Sequence, residues 1–184
     1  LARCEGRHRL EVLAVSDPLR ASTTPSAAVL GDPLGALDCP VQFLAVPEPD
    51  AALARRSGSA SMFHWSQMIT GIRVAVADHV LLHDVDLVIN DPTFLDAHYL
   101  AARDAGAACR GVEPCWDPWF AEHGLAHVSA TWELLAEVAW LRSFEPLDLR
   151  PLRRTLRGEA HDLDTLLWAQ ASTDPARVLR HDHG

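Results

Sequence analysis

The sequence predicts an α/β fold, a three-layer sandwich in which helices flank a mainly parallel central sheet. Apolar runs of strand length alternate along the chain with longer stretches whose apolar residues recur at helical spacing. Such alternation is typical of a parallel sheet covered by helices. Asp17, Asp84 and Asp86 lie at or just after the ends of predicted strands. Open sheets of this class bind ligands at the carboxyl ends of their strands, so these three residues are candidates for a site.

The elements are predicted in chain order from apolar spacing and from the residues that end each stretch. Strands are expected over 10–15, 41–46, 79–83, 107–109, 126–130 and 177–180. Helices are expected over 62–77, from Phe94 to near Gly106, over 131–144 and over 159–171, with a helical turn at 51–56. Residues 18–40, 111–124 and 145–158 are expected to form loops or irregular structure.

Local signals support several of these boundaries. Ser61 is a suitable N-cap for the helix over 62–77, and Asp91-Pro92 supplies an N-cap and a first-turn proline for the next helix. Val80-Leu81-Leu82 is an uninterrupted apolar run, which predicts an internal strand. The inward face of the helix over 131–144 is expected to carry Trp132, Leu135, Val138 and Leu141.

Length and composition set limits on the function. The 184 residues suit a single domain, 1–184, with a substantial core. A formal net charge of −9 argues against nucleic-acid binding. No apolar stretch approaches membrane-spanning length and no signal peptide opens the chain, so a cytoplasmic protein without a membrane span is expected. The four Cys form no C-x-x-C pair, which disfavours zinc and redox sites and favours free buried thiols.

The triplet Asp84-Val85-Asp86 is the clearest chemical signal. In a strand, side chains two residues apart project to the same side, so Asp84 and Asp86 would act together. Two carboxylates in one place need a partner, and a hard divalent cation, Mg²⁺ or Mn²⁺, prefers oxygen ligands. A solvated turn or a helix cap is the structural alternative for such a triplet.

The chain resembles nucleotide-sugar-dependent glycosyltransferases of the GT-A fold, and is most similar to glycosyltransferase family 2. The resemblance is carried by Gly71-Ile72, Ala75 and the run from Asp78 to Asp86, by Leu13 to Asp17, and by His161 to Asp164. The chain departs from the family at Met68-Ile69, where Arg-Asn is common, at Ser16, and at His161, where Glu is usual. The family's first strand has no counterpart, so a GT-A-like domain lacking that strand at its N-terminus is expected.

The resemblance implies a metal-dependent transfer of a sugar from a nucleoside-diphosphate sugar to an acceptor hydroxyl. The metal, Mn²⁺ or Mg²⁺, would be held by Asp84, Asp86 and a late histidine, His183, with His181 as the alternative; a polar tail without metal also remains open. Asp162 would be the general base, although a capping role in the first turn of a helix remains open. The nucleotide sugar would contact Asp17 and Asp84. Trp116, Trp119 and Phe120 are candidates for stacking on the sugar or for covering the site, and packing against the core is the alternative for these rings. The sequence does not specify the acceptor.

Two other functions remain open. A metal-dependent phosphoesterase would use Asp84, Asp86, His79 and His83. It requires His83 and Asp84 to converge, whereas neighbouring strand residues point to opposite faces. A degenerate nucleotide-sugar-binding module without turnover is the non-enzymatic alternative, and the missing first strand favours it.

Overall fold

A computed structural model of the protein describes residues 11–16, 40–84, 89–91 and 93–181. The chain divides into two compact units, one formed by 1–74 with 89–96 and the other by 75–88 with 97–184. Within the described ranges, no helix is long and apolar enough to cross a membrane.

The first unit contains a parallel strand pair and two helices. Strand β1 (Val12–Val15) pairs with β2 (Val41–Leu44), and Val12 lies opposite Val41. Helix α1 (Glu48–Ser57) begins with two acidic residues and ends with two arginines, which matches the helix dipole. Helix α2 (Ala60–Val74) buries residues at intervals of three and four, including Trp65 and Ile69. This spacing produces the apolar face that packs the helix. Asp17, predicted to end the first strand, lies outside the described residues.

The second unit is organised by a mixed four-stranded sheet. Its strands are β3 (His79–His83), β4 (Cys109–Gly111), β5 (Glu133–Glu137) and β8 (Val178–Arg180), in the order β3-β5-β4-β8. β5 is antiparallel to both of its neighbours, whereas β4 and β8 are parallel. β3, β4 and β8 therefore run in one direction, and their last residues meet at one edge of the sheet. This edge is called the carboxyl end below.

Helix α3 (Phe94–Asp104) covers one face of this sheet. Its Ala102 belongs to an apolar cluster with Leu135, against which Leu81 and Leu179 also pack. This surface is called the α3 face. Because side chains alternate along a strand, His83 and Glu133 also lie on the α3 face, whereas Asp84 and Trp132 belong to the opposite face.

The remaining elements are short. They are α4 (Pro118–Glu122), α5 (Val138–Arg142), α6 (Leu167–Ser172), the antiparallel hairpin of β6 (Leu152–Leu156) and β7 (Glu159–Leu163), and 3-10 turns at Pro146–Leu149 and Pro175–Arg177. Four of them, α4, β6, β7 and α6, contribute residues to a second apolar cluster or pack against it. The cluster joins Phe120, Leu125, Val128, Leu163 and Leu167. The hairpin turns at Arg157-Gly158, where both residues have positive φ, 52° and 89°.

A buried side-chain amide replaces a strand partner beside this cluster. The Gln170 Oε1 accepts a hydrogen bond from the Ser129 backbone N–H at 2.8 Å, and its Nε2 donates to the Ser129 carbonyl at 2.9 Å. Both residues are fully buried. Gln170 thus satisfies two buried backbone groups with its side chain.

The expected three-layer sandwich with a mainly parallel central sheet is wrong. The central strand β5 runs against both neighbours, and the other two sheets contain two strands each. The reason is the connection from β4 to β5. The chain turns back on itself so that Pro114 bridges Ser129 in antiparallel fashion, and a chain that reverses this way enters the sheet antiparallel. Parallel pairing occurs in β1 with β2 and in β4 with β8.

Several predicted elements also need correction. The 79–83 strand exists but is an edge strand of its sheet, not an internal one. Residues 131–144, predicted as one helix, form strand β5 followed by the short helix α5. The segment from 159, predicted as helix, starts with strand β7, and residues 126–130 form an isolated bridge instead of a strand.

Candidate functional site

Asp84 lies at the carboxyl end, directly after β3. Its backbone N–H donates to the Trp132 carbonyl at 3.0 Å, which continues the β3–β5 pairing by one residue. Asp84 and Trp132 are therefore direct cross-strand neighbours on the same face, and the Cβ atoms of such neighbours are about 5 Å apart. The residue predicted to bind a cation is therefore the backbone partner of a tryptophan.

The Trp132 ring continues into an exposed aromatic surface. It stacks on Trp116 with ring centroids 5.2 Å apart and planes inclined by 26°. Trp116 is 51% exposed, so its ring remains accessible to a ligand. Trp116 was predicted as a binding residue, whereas Trp132 was expected inside a helix. The backbone pairing of Asp84 with Trp132 and the stacking of Trp132 on Trp116 connect these three residues, which are called the Asp84–tryptophan group below.

Trp116 differs in this respect from Trp119 and Phe120, the other aromatics of its segment. The two faces of Trp119 are covered by the rings of His123 and His161, each with its centroid 4.1 Å away. Phe120 is buried in the apolar cluster. Trp119 and Phe120 are thus packing residues, and the stacking role falls to Trp116.

The α3 face holds an acidic side chain that the sequence analysis missed. Glu133 lies opposite His83, and its Oε2 is 2.5 Å from the His83 Nδ1. The Glu133 side chain is 9% exposed, and its second oxygen, Oε1, is buried without a hydrogen-bond partner in the part of the chain that the structure describes. Burial raises the pKa of Glu133, partly offset by His83, and the nearby charge of Asp84 raises it further.

Arg110 occupies the same face and joins two histidines. Its guanidinium donates to the Nδ1 of His98 at 2.5 Å and to the Nδ1 of His181 at 2.9 Å. The His98 Nε2 donates in turn to the Arg110 carbonyl at 3.0 Å. Burial and the Arg110 charge lower the pKa of His98 to about 4, so this imidazole is neutral near pH 7.

Asp162 lies on the β6–β7 hairpin, on strand β7 and not in the first turn of a helix. Its cross-strand neighbour is Arg153, whose Nη1 is 2.9 Å from the Asp162 carboxylate. Because Leu163 points into the apolar cluster, Asp162 points to the outer face of the hairpin, where its side chain is 77% exposed. The capping alternative for Asp162 is therefore wrong.

The other predicted site residues are not brought together. Asp17, Asp86 and His183 lie outside the described residues. The phosphoesterase set is divided, because His79 and His83 are at opposite ends of β3, about 13 Å apart along the strand. Within the described ranges, no three His, Cys, Asp or Glu side chains are arranged to hold a metal ion.

Comparisons of the chain with protein-family models, with curated proteins and with solved structures give no match. The resemblance to glycosyltransferase family 2 therefore rests on the sequence motifs, and the function has to be argued from the geometry of the carboxyl end.

Proposed function

We propose that the protein is a metal-dependent glycosyltransferase, which moves a sugar from a nucleoside-diphosphate sugar to an acceptor hydroxyl. The observation that carries the proposal is the position of Asp84 directly opposite Trp132, whose ring stacks on the half-exposed Trp116. A donor of this class has an anionic diphosphate bonded to a sugar. The Asp84–tryptophan group offers a partner for each part at neighbouring positions.

The two parts of the donor need different surfaces. A sugar ring presents an apolar C–H face, which packs on an aromatic ring, and Trp116 offers such a ring to solvent. A diphosphate is repelled by a carboxylate unless a cation stands between them. The carboxylate of Asp84 therefore accounts for the dependence on metal.

The donor atoms fit Mn²⁺ or Mg²⁺ in chemistry, because a carboxylate supplies the hard oxygen ligands that these ions prefer. Asp84 is the described member of the proposed set, and Asp86 would complete the pair with it. Mg²⁺ sites of this kind are held by one or two carboxylates together with substrate phosphates, so a third protein ligand is not required. When bound, the ion neutralises charge that develops on the departing diphosphate.

The proposed base is Asp162. Deprotonation of the acceptor hydroxyl requires the acceptor to reach the outer face of the hairpin, where Asp162 is paired with Arg153. Base catalysis contributes about 10²–10⁴-fold, so Asp162→Asn should lower turnover by that factor and leave donor affinity unchanged. Thr155→Ser, on the same outer face, is a control that should retain turnover.

A nucleotide-sugar-binding module without turnover is the second candidate. The ion pair between Asp162 and Arg153 favours it, because this pair engages the proposed base on a face that points away from the apolar cluster. Release of nucleoside diphosphate in the presence of acceptors identifies the transferase, and donor binding without release identifies the module.

The proposal is tested by thermal unfolding with UDP-, GDP- and dTDP-sugars, with Mn²⁺, and with both together. A ligand at a hundredfold excess over its Kd stabilises the native state by about 2.7 kcal/mol, which corresponds to about 5–10 °C in a chain of this size. Metal and nucleotide together should produce this shift, and either alone should produce much less. Equal shifts with and without metal would contradict the proposal.

Asp84→Asn is the decisive variant, because it keeps the shape of the side chain and removes its charge. It should abolish the joint shift while the protein remains folded. Asp78→Asn is the matched control at the other end of β3, where Asp78 accepts a hydrogen bond from Tyr99. The control should keep the joint shift, and a joint shift that persists in Asp84→Asn would remove Asp84 from the site.

The proposal also places the protein in the cytoplasm. Thiols stay reduced in that compartment, which suits the free thiols of Cys109 and Cys115.

A further inference from the structure

Glu133 is the least satisfied acidic side chain at the carboxyl end. Only 9% of its side chain is exposed, and Oε1 has no hydrogen-bond partner among the described residues. An ionised carboxylate oxygen left in this state costs about 1–3 kcal/mol or more. Groups of this kind are rare in native proteins and call for a specific explanation.

We propose that Glu133 is a sugar-binding residue whose Oε1 receives a hydrogen bond from a hydroxyl of the donor sugar. The proposal rests on the proposed function and deepens it, because it names a residue that recognises the sugar and not the nucleotide. His83 holds the carboxylate in position through Oε2, which leaves Oε1 for the ligand.

A hydroxyl is the ligand chemistry that fits this oxygen. Burial raises the pKa of Glu133, and a hydroxyl can donate to the ionised form or accept from the protonated one. A phosphate group would be repelled by the Glu133 carboxylate, because the proposed cation is assigned to Asp84 and not to Glu133. The sugar is therefore the part of the donor that Glu133 can bind.

The position of the pair allows access from solvent. His83 is the last residue of β3, its side chain is 32% exposed, and Glu133 is the first residue of β5. Trp132, the residue before Glu133 in the chain, belongs to the Asp84–tryptophan group, and alternation assigns its side chain to the other face. A sugar in contact with both residues would lie across the strand end.

The test compares the wild type with Glu133→Gln, which keeps the size of the side chain and removes its charge. Calorimetry would measure the affinity for Mn²⁺ with UDP, GDP or dTDP, and for Mn²⁺ with the corresponding nucleotide sugars. Glu133→Gln should lower the affinity for the nucleotide sugar by about tenfold to a hundredfold, because a hydrogen bond to a charged group is lost. Affinity for the nucleoside diphosphate should not change.

Glu137→Gln is the matched control on the same strand and the same face. Glu137 is already paired with Arg177, at 3.1 Å, so its variant should bind both ligands as the wild type does. Deoxy-sugar analogues provide a second measurement that does not depend on the folding of a variant. The analogue without the recognised hydroxyl should bind the wild type and Glu133→Gln equally.

The outcomes separate this inference from the proposed function. If nucleotides bind and Glu133→Gln retains full affinity for the nucleotide sugar, the inference is wrong and the proposed function stands. If Glu133→Gln lowers the affinity for Mn²⁺ alone, Glu133 is a metal ligand and the inference is also wrong. If no nucleotide binds, the proposed function fails. Free glucose, galactose and mannose then decide the inference by NMR, because Glu133-dependent binding supports it and absence of binding overturns it.

Discussion

Each end of the β3–β5 strand pair carries a His opposite a Glu, but the two Glu side chains differ in burial and in hydrogen bonding. The register sets His79 opposite Glu137 at one end and His83 opposite Glu133 at the other. Glu137 is partly exposed and paired with Arg177, and His79 packs edge-on against Tyr99. Glu133 is buried, and one of its oxygens has no hydrogen-bond partner among the residues that the structure describes.

This difference separates a structural end of the ladder from a ligand-binding end. A carboxylate kept for stability finds a cation or stays in water, as Glu137 does. A buried carboxylate with an open hydrogen-bonding position reduces stability, and proteins retain such groups where a ligand uses them. The ligand-binding end is also the one at which β3, β4 and β8 finish.

The largest effect should come from Gly111, which ends β4 near Glu133. A Cβ on Gly111 would lie 2.2 Å from the Ser129 Cβ and 2.6 Å from its Oγ, so the backbone would have to move. We expect Gly111→Ala to lower the unfolding free energy by about 3 kcal/mol or more, measured by urea denaturation. Gly71→Ala in α2, where the nearest atom is 3.9 Å away, should instead raise the unfolding free energy by about 0.5–1 kcal/mol, because alanine favours a helix interior. Equal losses would show that the carboxyl end is not tightly packed.

The second effect concerns His98 on the α3 face. Its pKa is about 4 in the folded protein and about 6.5 in the unfolded chain, because burial and Arg110 disfavour the charged form. Between these values the unfolded chain takes up a proton that the folded protein does not bind, so stability falls as the pH falls. The loss should reach about 3 kcal/mol between pH 6.5 and 4. His98→Gln should flatten this part of the pH–stability curve, and identical curves would contradict the assignment.

The third effect tests the comparison itself. Glu133→Gln should raise the unfolding free energy by about 1 kcal/mol, because a buried anion is removed. Because the pKa of Glu133 is raised in the folded protein, the increase in unfolding free energy should be complete above that folded-state pKa. It should disappear below the ordinary Glu pKa of 4.5, where the carboxyl group is protonated in both states. Glu137→Gln should lower the unfolding free energy by less than about 1 kcal/mol at neutral pH, because the ion pair between Glu137 and Arg177 is exposed. If both variants lowered the unfolding free energy, Glu133 would stabilise the fold as Glu137 does, and the comparison would fail.

The smallest effect on stability should come from Trp116. Its half-exposed ring loses one stacking contact in Trp116→Ala, which costs about 1 kcal/mol. Affinity for the nucleotide sugar should fall by about tenfold. Trp119→Ala is the control, because this ring is covered on both faces and its loss should cost more stability while binding remains. The reverse result would move the stacking role to Trp119.

The sequence predicted the edge strands better than the central one. The strands predicted over 79–83 and 177–180 both occur, as β3 (His79–His83) and β8 (Val178–Arg180). β5 reads Glu-Leu-Leu-Ala-Glu, and it is buried on both faces, so it shows no alternation. Leu and Ala also favour helix, and the pairing with β3 and β4 overrides that preference.

The β6–β7 hairpin was missed because its turn has an unusual sequence. A two-residue turn with positive φ at both positions is normally announced by Asn-Gly or Asp-Gly, whereas Arg157-Gly158 occupies it here. Asp162 was consequently expected in a helix. In the candidate site, Asp84 and Trp116 were predicted from their positions after a strand and in an aromatic loop. Glu133 was not, because its burial depends on pairing that is distant in sequence.

The hydrogen bond from the Ser129 amide to Gln170 makes hydrogen exchange at Ser129 a measure of local opening outside the sheets. The Ser129 amide hydrogen is bonded to the Gln170 Oε1, so it can exchange with solvent only when α6, which carries Gln170, moves away. Its exchange rate therefore follows the local opening of α6 rather than the opening of any sheet. In Gln170→Leu this hydrogen would exchange quickly although every strand is retained. The residues from Ser129 to Trp132 lead directly into β5, so motion of α6 would reach the end of the ladder that carries Glu133.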